Sequence, residues 1–423
     1  MEKLLNILGQ LIPLIAFYPK WAQIIFLLSF GSVLLSLFVF VALYSTAFDS
    51  RARAGRKGQL EAELSDKAKS YLEVIKTSQD PKQLGIAVGY FKANPTEAAL
   101  QPLATLAARE ESDFVFVQSE AIEAMGAIKT DNSLKLLLER AVSETTPENQ
   151  ADYVKALYGF KDPSMVQPLI SILETAGGDI VGYPSILLAR KLNAPALAKA
   201  VKRHFDNVSK GPIHREYFEL CREVIVQLQT KALHESVGLK LDLPKSLDLL
   251  LSRKRLADFQ HEKDPKTIVV YLTYLRRNTA LTENELATLA IEGLKSSDVL
   301  VRWSAAELAG KLDESSIETA LRQTFQAERI PFIDAVLVDA FSKSWDNADC
   351  QLVGSKFKEY SVIRDGLSSY IDSAEGMVRH LIRHSCQDVA PSVELFARTL
   401  SEVQNHDKEA ESMYRAVRAL QNK

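Results

Sequence analysis

Cysteine is scarce in this sequence: 423 residues contain three, Cys221, Cys350 and Cys386. They are far apart and odd in number, and Cys-x-x-Cys does not occur. Neither a zinc site nor a disulfide framework is expected from them, and the usage fits a reducing compartment. No glycine-rich phosphate loop is present, and Gly177-Gly178 reads as a turn between helices. Gly-x-Ser-x-Gly is missing, which removes the sharp elbow that presents a hydrolase serine. Strand-like alternation of apolar and polar residues is nearly absent, which excludes a sheet-based fold. One stretch lacks charge altogether.

That stretch is residues 24–48, IIFLLSFGSVLLSLFVFVALYSTAF. Crossing ~30 Å of hydrocarbon takes roughly 20 apolar residues of helix, and this run is longer. It also exceeds the roughly 7–15 residues of a signal-peptide core. Tyr18 and Trp21 stand at one end and Tyr44 at the other, where amphipathic rings favour the interface. Arg51, Arg53, Arg56 and Lys57 follow directly, against Lys3 and Lys20 on the other side. The positive-inside rule then predicts a single-pass membrane protein with its C-terminal part in the cytoplasm. Residues 1–20 are apolar but short and interrupted by Pro13, so they read as an interfacial or re-entrant helix, with a second crossing as the alternative. Ser32 and Ser36 have the four-residue spacing that lets membrane helices approach, a route to a homo-oligomer.

Charge divides at the same place. Residues 1–60 hold six Lys or Arg against Glu2 and Asp49, a net of +4, which leaves −7 of the overall −3 on the remainder. An acidic soluble part is a poor general binder of phosphate backbone, which argues against nucleic acid as a partner. Membrane lipid and one or more proteins are the partners expected.

Beyond residue 60 apolar residues recur at helical spacing, with Gly, Pro, Asn and Asp between segments of ~10–16 residues, an all-α pattern. Asp162-Pro163 and Asp264-Pro265 read as helix starts. The chain also repeats itself. VQSEAIEAMGAI (117–128) aligns with VRWSAAELAGKL (301–312) at an offset of 184, matching Val117 with Val301, Ala121 with Ala305, Glu123 with Glu307 and Gly126 with Gly310. Each block follows an apolar helix and a short acidic turn. The unit LATLAIEGLKSSDVLVRWSAAELAGKL (286–312) resembles the HEAT or HEAT-like, armadillo-type repeat family: helix A leucines Leu286, Leu289 and Leu294, the turn Asp298, then Val301-Arg302 and Ala305-Ala306. The resemblance implies an α-solenoid of stacked helical hairpins, which buries each pair against its neighbours and leaves a concave surface for protein recognition.

The expected organisation is an apolar helix at 1–20, a transmembrane helix at 21–48 and a basic juxtamembrane segment with linker helix at 49–76. HEAT-like repeats follow at 77–207, a divergent helical segment at 208–281, further repeats at 282–345 and a C-terminal helical segment at 346–423.

No catalytic constellation stands out. His380 and His384 lie four apart beside Cys386, but Leu381 occupies the position where a zincin carries glutamate, so no metal or cofactor is expected. The candidate partner-binding residues are Trp303, Arg302, Arg276 and Arg277. Trp303 anchors a partner if exposed, while packing between repeats is the competing reading. By the family resemblance Arg302 supports a neighbouring turn. The leading functional reading is a membrane-anchored scaffold or adaptor. The alternatives are a membrane effector, whose N-terminal helices oligomerise under control of a solenoid sensor, and an enzyme built on the same scaffold.

Overall fold

The computed structural model describes residues 66–109, 112–209, 211, 215–237, 250–275, 281–364, 366–403 and 406–422. The apolar N-terminal helix, the span with Tyr18, Trp21, Tyr44, Ser32 and Ser36, and the basic group Arg51, Arg53, Arg56 and Lys57 lie outside the described residues, as do Arg276 and Arg277. Among the described residues all regular structure is helical, and no helix is long and apolar enough to cross a membrane. The chain divides into two compact units, Met1–Ala87 and Val88–Lys423. In the first, the described part is a helix over 66–77 (α1) and the start of α2 (Pro81–Ala93).

The second unit continues α2 and adds α3 (Leu100–Ala107), α4 (Val115–Ile128), α5 (Asp131–Ser143), α6 (Pro147–Ala156), α7 (Val166–Thr175), α8 (Asp179–Leu192) and α9 (Ala198–Val208). Next come α10 (Arg215–Val237), α11 (Leu256–Gln260), α12 (Pro265–Tyr274), α13 (Glu283–Leu294) and α14 (Val299–Ala309). The last six are α15 (Ser315–Ala327), α16 (Pro331–Phe341), α17 (Asn347–Tyr360), α18 (Ser368–Arg383), α19 (Ala390–Glu402) and α20 (Asp407–Gln421).

Local chemistry sets many of these boundaries. Asp298 accepts the backbone N–H of Leu300 at 3.0 Å and of Val301 at 3.2 Å, capping α14. Thr282 and Glu285 form a reciprocal capping box on α13. Asp264 caps α12, with Pro265 at its first position. Asp162 accepts the N–H of Ser164 at 2.7 Å and opens the short 3-10 turn that leads into α7.

Packing follows chain order. From α4 onward the even-numbered helices form one row, each against the next even helix as far as α20. The odd helices form a second row, with α5 on α7, α7 on α9, α11 on α13, α13 on α15, and α17 on α19. Sequential partners such as α13 and α14, or α19 and α20, close hairpins between the rows.

The offset of 184 extends to contacts. A Cβ on Gly126 would meet the carbonyl oxygen of Ala156 at 2.7 Å, and one on Gly310 would meet Cα of Ala340 at 3.0 Å. Ala156 and Ala340 are themselves 184 apart. Both glycines thus let one even-row helix approach the next, and Val117, Val301, Ala121 and Ala305 are buried alongside.

The divergent middle has a physical form. α10 runs 23 residues whereas α11 has five. Aromatic stacking crosses this region: Phe218 on α10 lies 4.4 Å from the Phe332 ring on α16, and Phe205 on α9 is 5.5 Å from Phe218. The first half of α10 therefore reaches past its row neighbour α12 to touch α16.

The expectation from the cysteines is corrected. Cys350 and Cys386 are joined as a disulfide, with Cα atoms 5.5 Å apart. Cys350 lies in the first turn of α17 and Cys386 opens the short 3-10 turn before α19, and the packing of α17 on α19 brings the two, 36 residues apart, together.

Candidate functional site

Charged side chains that looked available for a partner are engaged inside the array. Trp303, a partner anchor only if exposed, is 1% exposed, which is the competing reading of packing inside the fold. Its indole N–H donates to Glu307 at 3.0 Å, and the Arg222 guanidinium lies over its ring at 4.8 Å. Arg222 also holds Glu307 through two hydrogen bonds, of 2.7 and 2.5 Å. The apolar ring is buried because α10 supplies a cation and Phe332 an aromatic wall 5.1 Å away.

Arg302 also faces inward. It donates to the carbonyls of Ser296 and Ser297 at 3.0 Å each, and forks onto Glu328 at 2.8 and 3.1 Å. Planar bidentate pairing of this kind fixes geometry as well as charge. It ties the α13–α14 turn to the α15–α16 turn. Lys202, with its side chain 9% exposed, reaches Asp206 and the helix cap Asp298 at 2.6 Å each, joining α9 to α14.

Above these fastenings lies a groove of about 940 Å³, walled by Asp206, Lys295, Asp298, Arg302, Gln323 and Arg329 among others. Asp206 and Asp298 pair with Lys202, Arg302 with Glu328, and Arg329 with Glu359. Lys295 and Gln323 are exposed. The described lining residues include no His, Cys or Tyr. With most charges neutralised locally, the groove offers shape and hydrogen bonding more than a strong field.

Below the groove is a closed polar cluster. Asp334 and Lys356 are each 1% exposed, with Asp334 Oδ1 3.7 Å from Lys356 Nζ. Tyr360 donates to Asp334 Oδ2 at 2.6 Å, and Lys356 donates to the Glu328 carbonyl at 2.7 Å. Burial pushes the Asp334 carboxyl well above the carboxylate range, against the opposing pull of Lys356 and the Tyr360 hydroxyl. Enclosed, with Asp334 Oδ1 facing Lys356 only as an ion pair and accepting no hydrogen bond, this cluster fastens α16 to α17. Arg322 does the equivalent between α15 and α17, forking onto Asp349 at 2.7 and 2.9 Å.

Two histidine environments complete the inventory. His204 is buried, its Nδ1 3.2 Å from the Leu173 carbonyl. A carbonyl only accepts, so Nδ1 carries the proton and Nε2 accepts from the Tyr217 hydroxyl. Burial holds the imidazole below its ordinary pKa, so it is neutral near pH 7, and burial likewise pushes the neighbouring Cys221 thiol up to about 12. A Cβ at Gly182 would collide with both His204 and Tyr217, which explains the glycine there. His380 and His384 lie against the Trp345 ring, at 6.1 and 4.6 Å between centroids, and His380 Nε2 is 2.6 Å from Asp339 Oδ1. Cys386 is bonded to Cys350, and among the described residues no group of three side chains is arranged to hold a metal ion.

Sequence reasoning missed the fastenings of Lys202, Arg222 and Lys356, whose partners are up to 96 residues away. Lys254, between α10 and α11, lies over the buried Tyr271 ring at 4.9 Å. No protein-family model matches the chain, and no curated protein matches it significantly.

Proposed function

We propose that residues 88–422 form a HEAT-like α-solenoid that binds another protein, tethered to a membrane through residues 24–48 as a scaffold or adaptor. The observation that carries this reading is the two-row packing in chain order, in which each helix is buried by its neighbours and charged side chains fasten consecutive turns. An array built this way presents a long surface without needing a deep reactive pocket. The groove at Lys295 and Gln323 is the docking surface, because it is the place where α9, the α13–α14 turn and α15 border one open cleft of about 940 Å³. A partner seated there meets polar groups whose charges are already balanced, so recognition rests on shape and hydrogen bonds.

The tether sets the side of the membrane. Arg51, Arg53, Arg56 and Lys57 favour retention of the C-terminal part in the cytoplasm.

The test is affinity capture of the full chain from mild detergent, beside a variant with Gln323→Trp and Ala327→Trp that fills the groove. Both positions are exposed, so helicity should hold. The expected result is a discrete partner retained by the wild type and reduced at least tenfold in the variant. Equal recovery by both proteins would reject the groove as the docking surface. Recovery of the chain alone would reject the scaffold reading.

A further inference from the structure

Cys350 lies in the first turn of α17, and Cys386 sits between α18 and α19. Both are held by defined helix ends. Ser385 takes a left-handed φ of 55°, and the Cys386 N–H closes α18 by donating to the Leu381 carbonyl at 3.0 Å. The cysteines are buried, but their neighbours along the chain lie at the surface. Asp346, Asn347 and Ala348 on one side, and Ser385, Gln387 and Asp388 on the other, are exposed.

The surroundings favour one sulfur as an anion. The Trp345 indole N–H points at Cys350 Sγ, 3.5 Å away. A hydrogen bond to a thiolate is stronger than one to a neutral disulfide sulfur. The first turn of a helix also favours negative charge. The nearby Asp349 carboxylate, which would oppose it, is neutralised by the forked Arg322. Stabilising the reduced form makes a disulfide easier to open, and a stabilised thiolate is the better leaving group.

We propose that Cys350–Cys386 is a redox-active couple, opened and re-formed within the folded protein, that controls how firmly the start of α17 is clasped to the α18–α19 turn. In the opening reaction a small-molecule thiolate of the glutathione class attacks Cys386 Sγ. The S–S bond breaks, Cys350 leaves as thiolate and a mixed disulfide forms on Cys386. A second thiolate attacks the sulfur of the bound reductant, releases the Cys386 thiolate and leaves the reductant as its own disulfide. Two electrons pass from the two reductant thiolates to the protein sulfurs. Each protein thiolate then takes a proton from water according to pH. Re-formation is the reverse, with the disulfide form of the same reductant as oxidant. The inference stands apart from the groove reading and does not depend on it.

Trp345 supplies the readout, since a disulfide at that distance quenches indole emission. The full-length protein in detergent is equilibrated across reduced-to-oxidised glutathione ratios, quenched with acid, denatured and labelled with PEG-maleimide. The oxidised protein is expected to take one label, at Cys221, and the reduced protein three. Fluorescence should rise with the same midpoint, helicity should not change, and the rise should vanish in Trp345→Phe. One label at every ratio would overturn the proposal, because the bond would be a permanent lock. Three labels at every ratio would overturn it by showing no bond. Loss of helicity on reduction would overturn it as well, since the bond would then be a condition of folding.

Discussion

At the residue scale, the recurring device is a polar side chain that carries structural tension between neighbouring elements. Trp303 shows why such roles were not legible. Its spacing on α14 is that of any repeat helix, and nothing near it announces Arg222, 81 residues earlier, as the cation over its ring. Truncating Trp303 to alanine removes a buried indole and leaves Arg222 and Glu307 beside a cavity. The expected cost is about 3–5 kcal/mol, measured by urea unfolding, with Trp303→Phe costing less. An unchanged midpoint would show that the ring is not buried in solution.

His204 gives a pH signature. Its folded pKa lies below the unfolded value of 6.5 because burial disfavours the imidazolium. As pH falls below about 6.5, the unfolded chain takes up a proton that the folded chain refuses, so stability is full above that value and declines toward acid. His204 therefore lowers the unfolding midpoint at about pH 5.5 relative to about pH 7.5, while the buried Asp334 carboxyl, with its raised pKa, acts with the opposite sign. His384 is also held below its ordinary pKa, so part of the slope remains in His204→Gln. The share that the substitution removes belongs to His204, and an unaltered slope would reject this assignment.

At the element scale more was readable. Apolar periodicity located the helices, and the dipeptides Asp162-Pro163 and Asp264-Pro265 marked two starts that the backbone adopts. The alignment of 117–128 with 301–312 identified Gly126 and Gly310 as equivalent, and each proves to be where an even-row helix touches the next. The middle segment was unreadable because α10 and α11 depart from repeat length in opposite directions. Its packing is set by rings on distant helices, Phe218 on Phe332 above all.

The glycines invite a sign test. An alanine inside a helix normally stabilises by ~1 kcal/mol over glycine. At Gly126 a methyl group meets the Ala156 backbone, so Gly126→Ala should destabilise, by about 1–3 kcal/mol as overpacking does. Thermal melting checks the sign, and a raised melting temperature would contradict the close approach. The disulfide belongs to this scale too. Closing a loop of 36 residues is worth ~4 kcal/mol by chain entropy. The reduced protein should unfold at correspondingly lower denaturant while remaining folded in water.

At the scale of the whole molecule, the uncharged run and the all-helical composition were the plainest features of the sequence, while the consumption of charge in fastenings was invisible. A local basic or aromatic residue looks the same whether it faces a partner or a turn two helices away. For the tether, protease protection gives a direct prediction: in sealed membranes of native orientation the C-terminal unit should resist external protease and be cut only after the membrane is opened. Cutting from outside would reverse the assignment.

The central claim, a tethered array that docks a protein at one groove, is tested most directly by site-specific photocrosslinking in native membranes. A photoreactive residue at Gln323 should yield one discrete adduct heavier than the chain. The same residue at exposed Glu411, on α20 at the far end of the described helices, should not yield that adduct. No adduct at Gln323, or the same adduct from both positions, would contradict the account.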